Sequence, residues 1–292
     1  MSDHPPPARL RANWGATVAR VRLARSRQPP VNWRRVALVV ACGLALVIFV
    51  AVLYDSRVIA WTRTVPLPVR AGFEWITRFG QSGWLLIPTG IVAFVVALGD
   101  WRRVSRANAA AWWEIGTFAA VLFVVVAASG IATDIIKPIV GRFRPDFVPG
   151  GGAFAFAPLA FGGYANYSFP SGHATTMAAV AVMAAFVPGV VTTPIVIAAG
   201  LVAVSRVMID VHFPSDVVGG ALVGTGVGLA ILRLMTLAGI GFVVRRDGRI
   251  HRRLGVLRRL RRRKDGLEGL FPALWIALSP RRAERRPPPG PQ

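Results

Sequence analysis

The residues from Val36 to Tyr54 read VALVVACGLALVIFVAVLY, an unbroken apolar run of 19 residues. About 20 apolar residues in an α-helix cross the hydrocarbon core of a bilayer, which is roughly 30 Å thick. The 35 residues before the run are too many for the charged start of a signal peptide, and no small-residue cleavage site follows it. The run therefore predicts a membrane-spanning helix that is retained in the protein.

Five further apolar stretches follow the first run. They lie at Trp84–Leu98, Ala111–Thr133, His173–Phe186, Val190–Val204 and Val217–Leu234. The last three are rich in small residues, which allow helices to approach each other closely. The alternative is a soluble domain of buried helices, but six such stretches would leave it too little polar surface. The pattern predicts an all-α fold, a six-transmembrane helix bundle over residues 36–235.

The overall composition supports a membrane protein. Hydrophobic residues make up 54% of the chain and charged residues 16%, whereas soluble domains carry about a quarter charged residues. This apolar content excludes disorder over most of the length. Cys42 is the only cysteine, which excludes an intrachain disulfide and a cysteine-built metal site.

The charge balance is strongly basic, with 35 Lys and Arg against 13 Asp and Glu and a net charge of +22. Such an excess favours an anionic partner, which would be anionic lipid, a phosphorylated substrate or nucleic acid. No aromatic pattern for base stacking accompanies the arginines, so nucleic acid is not expected.

Both ends of the chain carry much of this charge. Residues 1–35 predict a basic disordered tail, and residues 236–292 predict an arginine-rich tail. In the second tail, apolar residues recur at helical spacing between arginines: Ile250, Leu254, Leu257 and Leu260. This spacing predicts either an amphipathic helix on the anionic inner leaflet or a solvated basic tail.

The arginines also predict the orientation in the membrane. They cluster in the N-terminal tail, in the loop at residues 102–106 and after the sixth stretch, and six crossings place these regions on one face. Because positive charge favours the cytoplasmic side, we expect a multi-pass protein of the inner or plasma membrane with both termini cytoplasmic. Residues 55–82, 134–172 and 205–216 then lie on the extracytoplasmic face.

Three motifs lie in those extracytoplasmic segments. They read KPIVGRFRP at residues 137–145, FPSGH at residues 169–173 and SRVMIDVHFPSD at residues 205–216. Together they place several ionisable side chains at one membrane level, and such a cluster is a functional-site hypothesis by default. Two of the four histidines lie in the basic tails, and the other two, His173 and His212, fall in this cluster.

The basic residues of the motifs suit a phosphate group. Lys137, Arg144 and Arg206 would supply positive charge and fork-shaped donors. On a continuing helix the first two would share a face, although Pro138 makes that continuity uncertain, and snorkelling to lipid headgroups is their alternative role. Ser171 and Gly172 open a helix, whose free N–H groups form an anion site unless this is a plain helix start.

His212 and Asp216 are four residues apart at the head of the sixth helix. The alternative to a catalytic pair is a capping Asp216 beside an interfacial histidine. The aromatic loop Asp146–Ser168 would cover the site, admit a lipid tail, or lie at the interface.

The three motifs resemble the signature of the type 2 phosphatidic acid phosphatase superfamily. Its pattern is Lys-x6-Arg-Pro, Pro-Ser-Gly-His and Ser-Arg-x5-His-x3-Asp, and all eleven specified residues are present here at family spacing. The resemblance covers about residues 36–235 and neither tail. It implies a hydrolase of a lipid phosphate monoester or diphosphate, of the phosphatidic acid, phosphatidylglycerol phosphate or undecaprenyl diphosphate class. It also implies a reaction that needs no metal or other cofactor.

The resemblance further implies a role for each site residue. His212 would attack phosphorus and form a phosphohistidine, Asp216 would hold its ring, and His173 would protonate the leaving group. The remaining residues would bind the phosphate oxygens: Lys137, Arg144, Ser171, Gly172 and Arg206. A vanadate-type haloperoxidase, which carries similar motifs, and a non-catalytic transporter-like membrane protein are the alternatives. The oligomeric state stays open.

Overall fold

The computed structural model describes residues 31–148, 152–161, 163–187, 189–244, 250–252 and 268–279. The described chain is mostly helical, as the apolar runs predict. Its α-helices are α1 Trp33–Val50, α2 Ser56–Thr62, α3 Leu67–Thr77, α4 Gly83–Leu98, α5 Arg106–Val140, α6 Gly172–Ala184, α7 Gly189–Met208, α8 Pro214–Leu237 and α9 Leu270–Leu278. A π-helical turn, Ala51–Asp55, joins α1 to α2.

Five helical segments of the described chain are long and apolar enough to cross a membrane. They are Trp33–Thr62, Leu67–Leu98, Arg106–Val140, Gly189–Met208 and Pro214–Leu237. Each contains one of the predicted spans. The predicted span at His173–Phe186 is the exception, because α6 has only 13 residues and a length of about 20 Å. The six-span count therefore stays a prediction.

The short helix α6 lies in the middle of the bundle. It packs against α5, α7 and α8, and its side chains at Ala179 and Met183 are almost completely buried. Gly220 lets α8 come close, because a Cβ atom there would collide with the carbonyl oxygen of Ser171. The small residues thus act as predicted, and protein rather than lipid surrounds most of α6.

Helix α5 extends beyond the predicted Ala111–Thr133 at both ends. It continues through Pro138 and ends at Val140, where Gly141 takes a left-handed conformation with φ of 60°. A Cβ atom at Gly141 would also collide with the backbone of Ala157. The chain turns here, so Arg144 lies beyond the helix and the expected shared helical face with Lys137 is wrong.

The C-terminal part adds a small hairpin and α9 to the bundle. Strand β1, Phe242–Val244, pairs antiparallel with β2, Ile250–Arg252. The amphipathic helix expected from Ile250 onwards is therefore wrong at its start, and residues 254–260 lie outside the described residues. Residues 1–30, most of the tail predicted to be disordered at residues 1–35, also lie outside the described residues. Residues 33–35 form the first turn of α1, so the predicted disorder does not extend to them.

Helix α9 is anchored on the bundle by hydrogen bonds to its backbone. Trp112 Nε1 donates to the carbonyl oxygen of Leu270 at 2.8 Å, and the Asp100 amide donates to that of Ala277 at 2.9 Å. The opposite face of α9 presents Phe271 and Trp275, each 77% exposed. The helix thus carries an apolar, aromatic outer face.

Candidate active site

The fold brings the three motifs together at one end of the bundle. Ser171 of the second motif donates its amide to the carbonyl oxygen of Asp216 in the third, at 3.0 Å. Lys137 of the first motif has its Nζ 3.6 Å from the position that a Cβ atom would take at Gly172. All eight site residues predicted from the sequence belong to this cluster.

His212 lies in the loop between α7 and α8 and is 2% exposed. Its Nδ1 faces Asp216 Oδ2 at 3.6 Å, which is longer than an ordinary hydrogen bond. Burial lowers the pKa of His212 to about 4, and Asp216 opposes this shift while Arg144 and Arg206 add to it. The imidazole is therefore neutral at pH 7, and Nε2, the nitrogen away from Asp216, keeps its lone pair.

Asp216 both caps helix α8 and lies beside His212. Its Oδ2 accepts hydrogen bonds from the Phe213 amide at 2.9 Å and from Ser168 Oγ at 2.5 Å. The first of these bonds caps the start of α8, so the capping role that the sequence left open is real. The cap also fixes the carboxylate beside His212, so the two roles are compatible.

His173 lies in the first turn of α6, with its ring against the backbone of Gly80. A Cβ atom at Gly80 would lie 2.5 Å from the Cδ2 atom of His173 and 2.6 Å from Val202. The glycine therefore lets the 3₁₀ turn Arg78–Gly80 form one wall of the histidine's pocket. This wall restricts the orientation of the His173 ring.

Two of the three predicted phosphate-binding cations contact a polar side chain that orients them. Arg206 is 8% exposed, and its Nη1 donates to Thr77 Oγ1 at 2.7 Å. Lys137 Nζ lies 3.0 Å from Asp134 Oδ1, a carboxylate with 73% side-chain exposure. The exposed carboxylate can be displaced by a stronger anion, so Lys137 remains available to a phosphate group.

Arg144 is enclosed by the aromatic loop Asp146–Ser168. Its Nε donates to the carbonyl oxygen of Tyr164 at 2.9 Å, and its guanidinium lies 3.8 Å from the centroid of the Tyr164 ring. Burial lowers the pKa of Arg144, with Tyr164 and Asp216 opposing the shift. A bound anion would offset this cost of burying the charge. Tyr164 of the loop thus covers Arg144, whereas the role of the loop as a whole stays a prediction.

The start of α6 offers hydrogen-bond donors without a protein partner. Ser171 is the N-cap residue, but its side chain makes no capping hydrogen bond. Its Oγ is buried and unpaired within the described part of the chain. Together with the free N–H groups of the first turn, it forms a small anion-binding surface.

Sequence reasoning missed a second, supporting layer behind the motifs. Arg142 and Asp55 are buried and paired, with 2.6 Å between Arg142 Nη2 and Asp55 Oδ2. Arg70 of α3 pairs with Asp210 at 2.9 Å, and Thr62 Oγ1 also donates to Asp210. The sequence offered one signal, Asp55, which lies directly after the first apolar run. A carboxylate at the end of a spanning segment is rarely buried without a partner.

Comparisons with known proteins place this arrangement among phosphatases. The family model of the PAP2 superfamily matches residues 118–239. Lipid A 1-phosphatase of Rhizobium johnstonii is 31% identical over 242 residues, which make up 82% of this chain and 96% of the relative. Decaprenylphosphoryl-5-phosphoribose phosphatase of Mycobacterium tuberculosis is 32% identical over 158 residues, 53% of this chain and 75% of that protein. The crystal structure of a PAP2 type phosphatidylglycerolphosphate phosphatase from Bacillus subtilis has a TM-score of 0.46 and 22% identity, and covers 65% of this chain and 92% of its own.

Proposed function

This chain belongs to the PAP2 superfamily and is a phosphoric ester hydrolase with membrane-spanning helices, and we propose that it removes phosphate from a lipid through a phosphohistidine intermediate. The observation that carries the proposal is the buried His212, which is held beside Asp216 and lies close enough to Arg144 and Arg206 for both to lower its pKa. A neutral imidazole is a nucleophile, and the cations would stabilise negative charge on the phosphoryl group.

The first step transfers phosphate from the lipid to His212. Nε2 of His212 attacks phosphorus, and the bond from phosphorus to the lipid oxygen breaks. His173, which takes up a proton when the negatively charged phosphate group binds beside it, donates that proton to the departing oxygen, so the lipid leaves as an alcohol. Asp216 stabilises the positive charge that develops on the His212 ring.

The second step returns the enzyme to its starting state. His173, now neutral, takes a proton from a water molecule as that water attacks the phosphorus of the phosphohistidine. The bond from nitrogen to phosphorus breaks, and inorganic phosphate leaves. The phosphoryl oxygens stay on the same donors throughout: Lys137, Arg144, Arg206, Ser171 and the Gly172 amide. These donors take the part that a metal ion plays in other phosphoryl transfers, so we expect no cofactor.

We expect the substrate to be a phosphate whose lipid tail remains in the bilayer. The site lies at one end of the spanning helices, beside a loop with exposed aromatic residues: Phe154, Phe156, Phe161 and Tyr164. The similarity to a lipid A 1-phosphatase makes a sugar-linked lipid phosphate the first substrate to test. Phosphatidic acid, phosphatidylglycerol phosphate and undecaprenyl diphosphate are the next.

We propose that the site faces the extracytoplasmic side and that both tails are cytoplasmic. The arginines of residues 245–263 and 281–286 flank α9, whose exposed Phe271 and Trp275 suit the boundary between headgroups and acyl chains. A reporter fused after Gln292 should be active only in the cytoplasm, and a tag in the loop around residue 151 should be reachable from outside intact cells. A tag protected from outside would overturn this orientation.

Phosphate release by the purified protein tests the function. The wild type and His212→Ala are assayed in detergent with each of the four lipids, with and without EDTA. We expect release from at least one lipid, unchanged by EDTA, and none from the variant. Turnover by His212→Ala, or activity lost in EDTA and restored by Mg²⁺, would contradict the proposed mechanism.

A further inference from the structure

Asp55 is completely buried at the end of the first spanning segment. Its Oδ1 accepts a hydrogen bond from the Ser215 amide at 2.9 Å, and its Oδ2 accepts one from Ser215 Oγ at 2.5 Å. Arg142 Nη2 donates to the same Oδ2 atom at 2.6 Å. Every one of these neighbours is a donor, which matches an ionised carboxylate.

Arg142 joins Asp55 to the carboxylate behind the nucleophile. Its Nη1 donates to Asp216 Oδ1 at 2.7 Å and to Ser215 Oγ at 2.6 Å, while Nη2 holds Asp55. The guanidinium also lies 4.2 Å from the centroid of the Phe213 ring. One planar group thus connects the first helix to both residues at the head of α8.

The charges of this network do not balance on their own. Arg142 contributes one positive charge, whereas Asp55 and Asp216 contribute two negative charges. With Asp55 neutralised, Arg142 and Asp216 would cancel, and no excess negative charge would remain beside His212. With Asp55 ionised, one negative charge is left, and the positive imidazole ring of a phosphohistidine would neutralise it.

We propose that Asp55 and Arg142 are positioning residues for the reaction, which hold Asp216 against His212 and preserve its negative charge. The proposal rests on the nucleophilic role of His212 given above. Asp55 lies outside residues 118–239, the part matched by the family model, and outside all three motifs. The first helix is therefore a component of the active site rather than only a membrane anchor.

A double-mutant cycle in the full-length protein tests this role. Asp55→Asn keeps the shape of the side chain but removes its charge, and Asp216→Asn removes the carboxylate through which Asp55 acts. Asp146→Asn is the matched control, because Asp146 is 59% exposed and lies 3.9 Å from its nearest cation, Arg63. Arg142→Lys is measured alongside, since it keeps the charge but loses the planar guanidinium group that bonds to both carboxylates. For each variant kcat, KM, vanadate inhibition and melting temperature are recorded.

We expect Asp55→Asn to lower kcat by about 10- to 100-fold, by analogy with the loss of an outer hydrogen-bond partner of a metal-bound histidine. KM and vanadate inhibition should stay within about twofold, because the phosphate-binding groups are untouched. In the Asp216→Asn background, Asp55→Asn and Arg142→Lys should each have almost no further effect on kcat, because the carboxylate through which both residues act on His212 is already absent. Asp146→Asn should match the wild type.

Two failures are distinguishable. If His212→Ala still turns over, the proposed function itself is wrong. If His212→Ala is inactive but the losses in kcat from Asp55→Asn and Asp216→Asn multiply, Asp55 acts independently of Asp216 and the positioning role is wrong. If Asp55→Asn cannot be purified as a folded protein, Arg142→Lys decides by the same criterion, and multiplied losses there also overturn the proposal.

Discussion

The motif segments and the N-terminal helices contribute to the site in different ways. In the motif segments, two buried polar atoms near the proposed phosphate site lack a hydrogen-bond partner within the described chain: Ser171 Oγ and Arg206 Nε. In residues 33–82, the polar side chains near the site are paired, and they bond to motif residues. Asp55 meets Arg142 and Ser215, and Thr77 meets Arg206.

This difference separates the groups that react from the groups that hold them. A buried polar atom without a partner costs free energy, so such atoms are expected where a ligand completes them. A fully paired group has no capacity left for the substrate and acts through its partner. Changes in the motif segments should therefore affect chemistry directly, whereas changes in residues 33–82 should cause smaller losses by displacing a motif residue.

After the complete loss expected for His212→Ala, the largest loss follows from removing the proposed general acid in the motif segments. His173→Ala should lower turnover of a lipid phosphate by about 10²–10⁴-fold, because the lipid alkoxide leaves poorly without a proton. An activated ester such as p-nitrophenyl phosphate should lose far less, since its leaving group is already a weak base. The burst-phase rate of phosphoenzyme formation with each substrate measures the difference, because the slowed second step would limit the steady-state rate for both. Equal losses of this burst rate would show that His173 does not donate the proton.

The pH dependence should follow the burial of His212. A pKa of about 4 keeps His212 neutral, and hence nucleophilic, down to pH 5, and the activity is lost as the pH falls through 4. A histidine with an ordinary pKa near 6.5 would be only about 3% neutral at pH 5, a roughly 30-fold difference in rate. The measurement is kcat/KM against pH for p-nitrophenyl phosphate, whose departure depends little on the proton of His173, divided by the dianionic fraction of the substrate. An acidic limb near pH 6.5 after that correction would contradict the burial of His212.

A smaller loss is expected from the wall that residues 33–82 place against His173. Gly80→Ala inserts a Cβ atom 2.5 Å from the His173 ring, so the ring must move. We expect kcat to fall about tenfold, since misplacing a catalytic group by a fraction of an ångström weakens proton transfer. Gly72→Ala is the matched control, because a Cβ atom there meets nothing within 4 Å. Equal activity of the two variants would show that this wall does not position His173.

The smallest effect is expected from Thr77, which orients one phosphate-binding cation. Thr77→Val removes the acceptor of the 2.7 Å hydrogen bond from Arg206 Nη1 but keeps the side-chain volume. Losing one such bond to a charged group costs about 1.5–3 kcal/mol at most, and Arg206 can recover part of it from the substrate. We expect a severalfold rise in KM with kcat nearly unchanged. Thr64→Val, which loses only a local bond to Trp61, is the control, and a fall in kcat alone would contradict the assignment.

The sequence motifs identified the residues that we propose to react, but they did not identify the residues of the N-terminal helices that support them. Apolar runs of about 20 residues locate spanning helices, and the motifs contain the residues that we propose to take part in the reaction: Lys137, Arg144, His173, Arg206 and His212. The contact between Asp55 and Arg142 joins residues 87 positions apart, and no local pattern encodes such a pair. The fold itself decides this pairing.

Two details of the fold also escaped sequence reasoning for physical reasons. The apolar run at His173–Phe186 is as apolar as a span, but α6 ends at Ala184 because the chain turns before Gly189. The turn at Gly141 depends on the loop around Ala157 that packs against it. Hydrophobicity indicates burial and does not distinguish lipid from protein as the surroundings.

The most direct test of the account is the location of the phosphoryl group on the enzyme. Labelled p-nitrophenyl phosphate is mixed with the wild type, His173→Ala and His212→Ala, the reaction is quenched within milliseconds, and the modified residue is identified by mass spectrometry. We expect label on His212 in the wild type, more of it in His173→Ala because the second step is slowed, and none in His212→Ala. Label trapped in His212→Ala and absent from His173→Ala would contradict it, because the two histidines would then have exchanged roles.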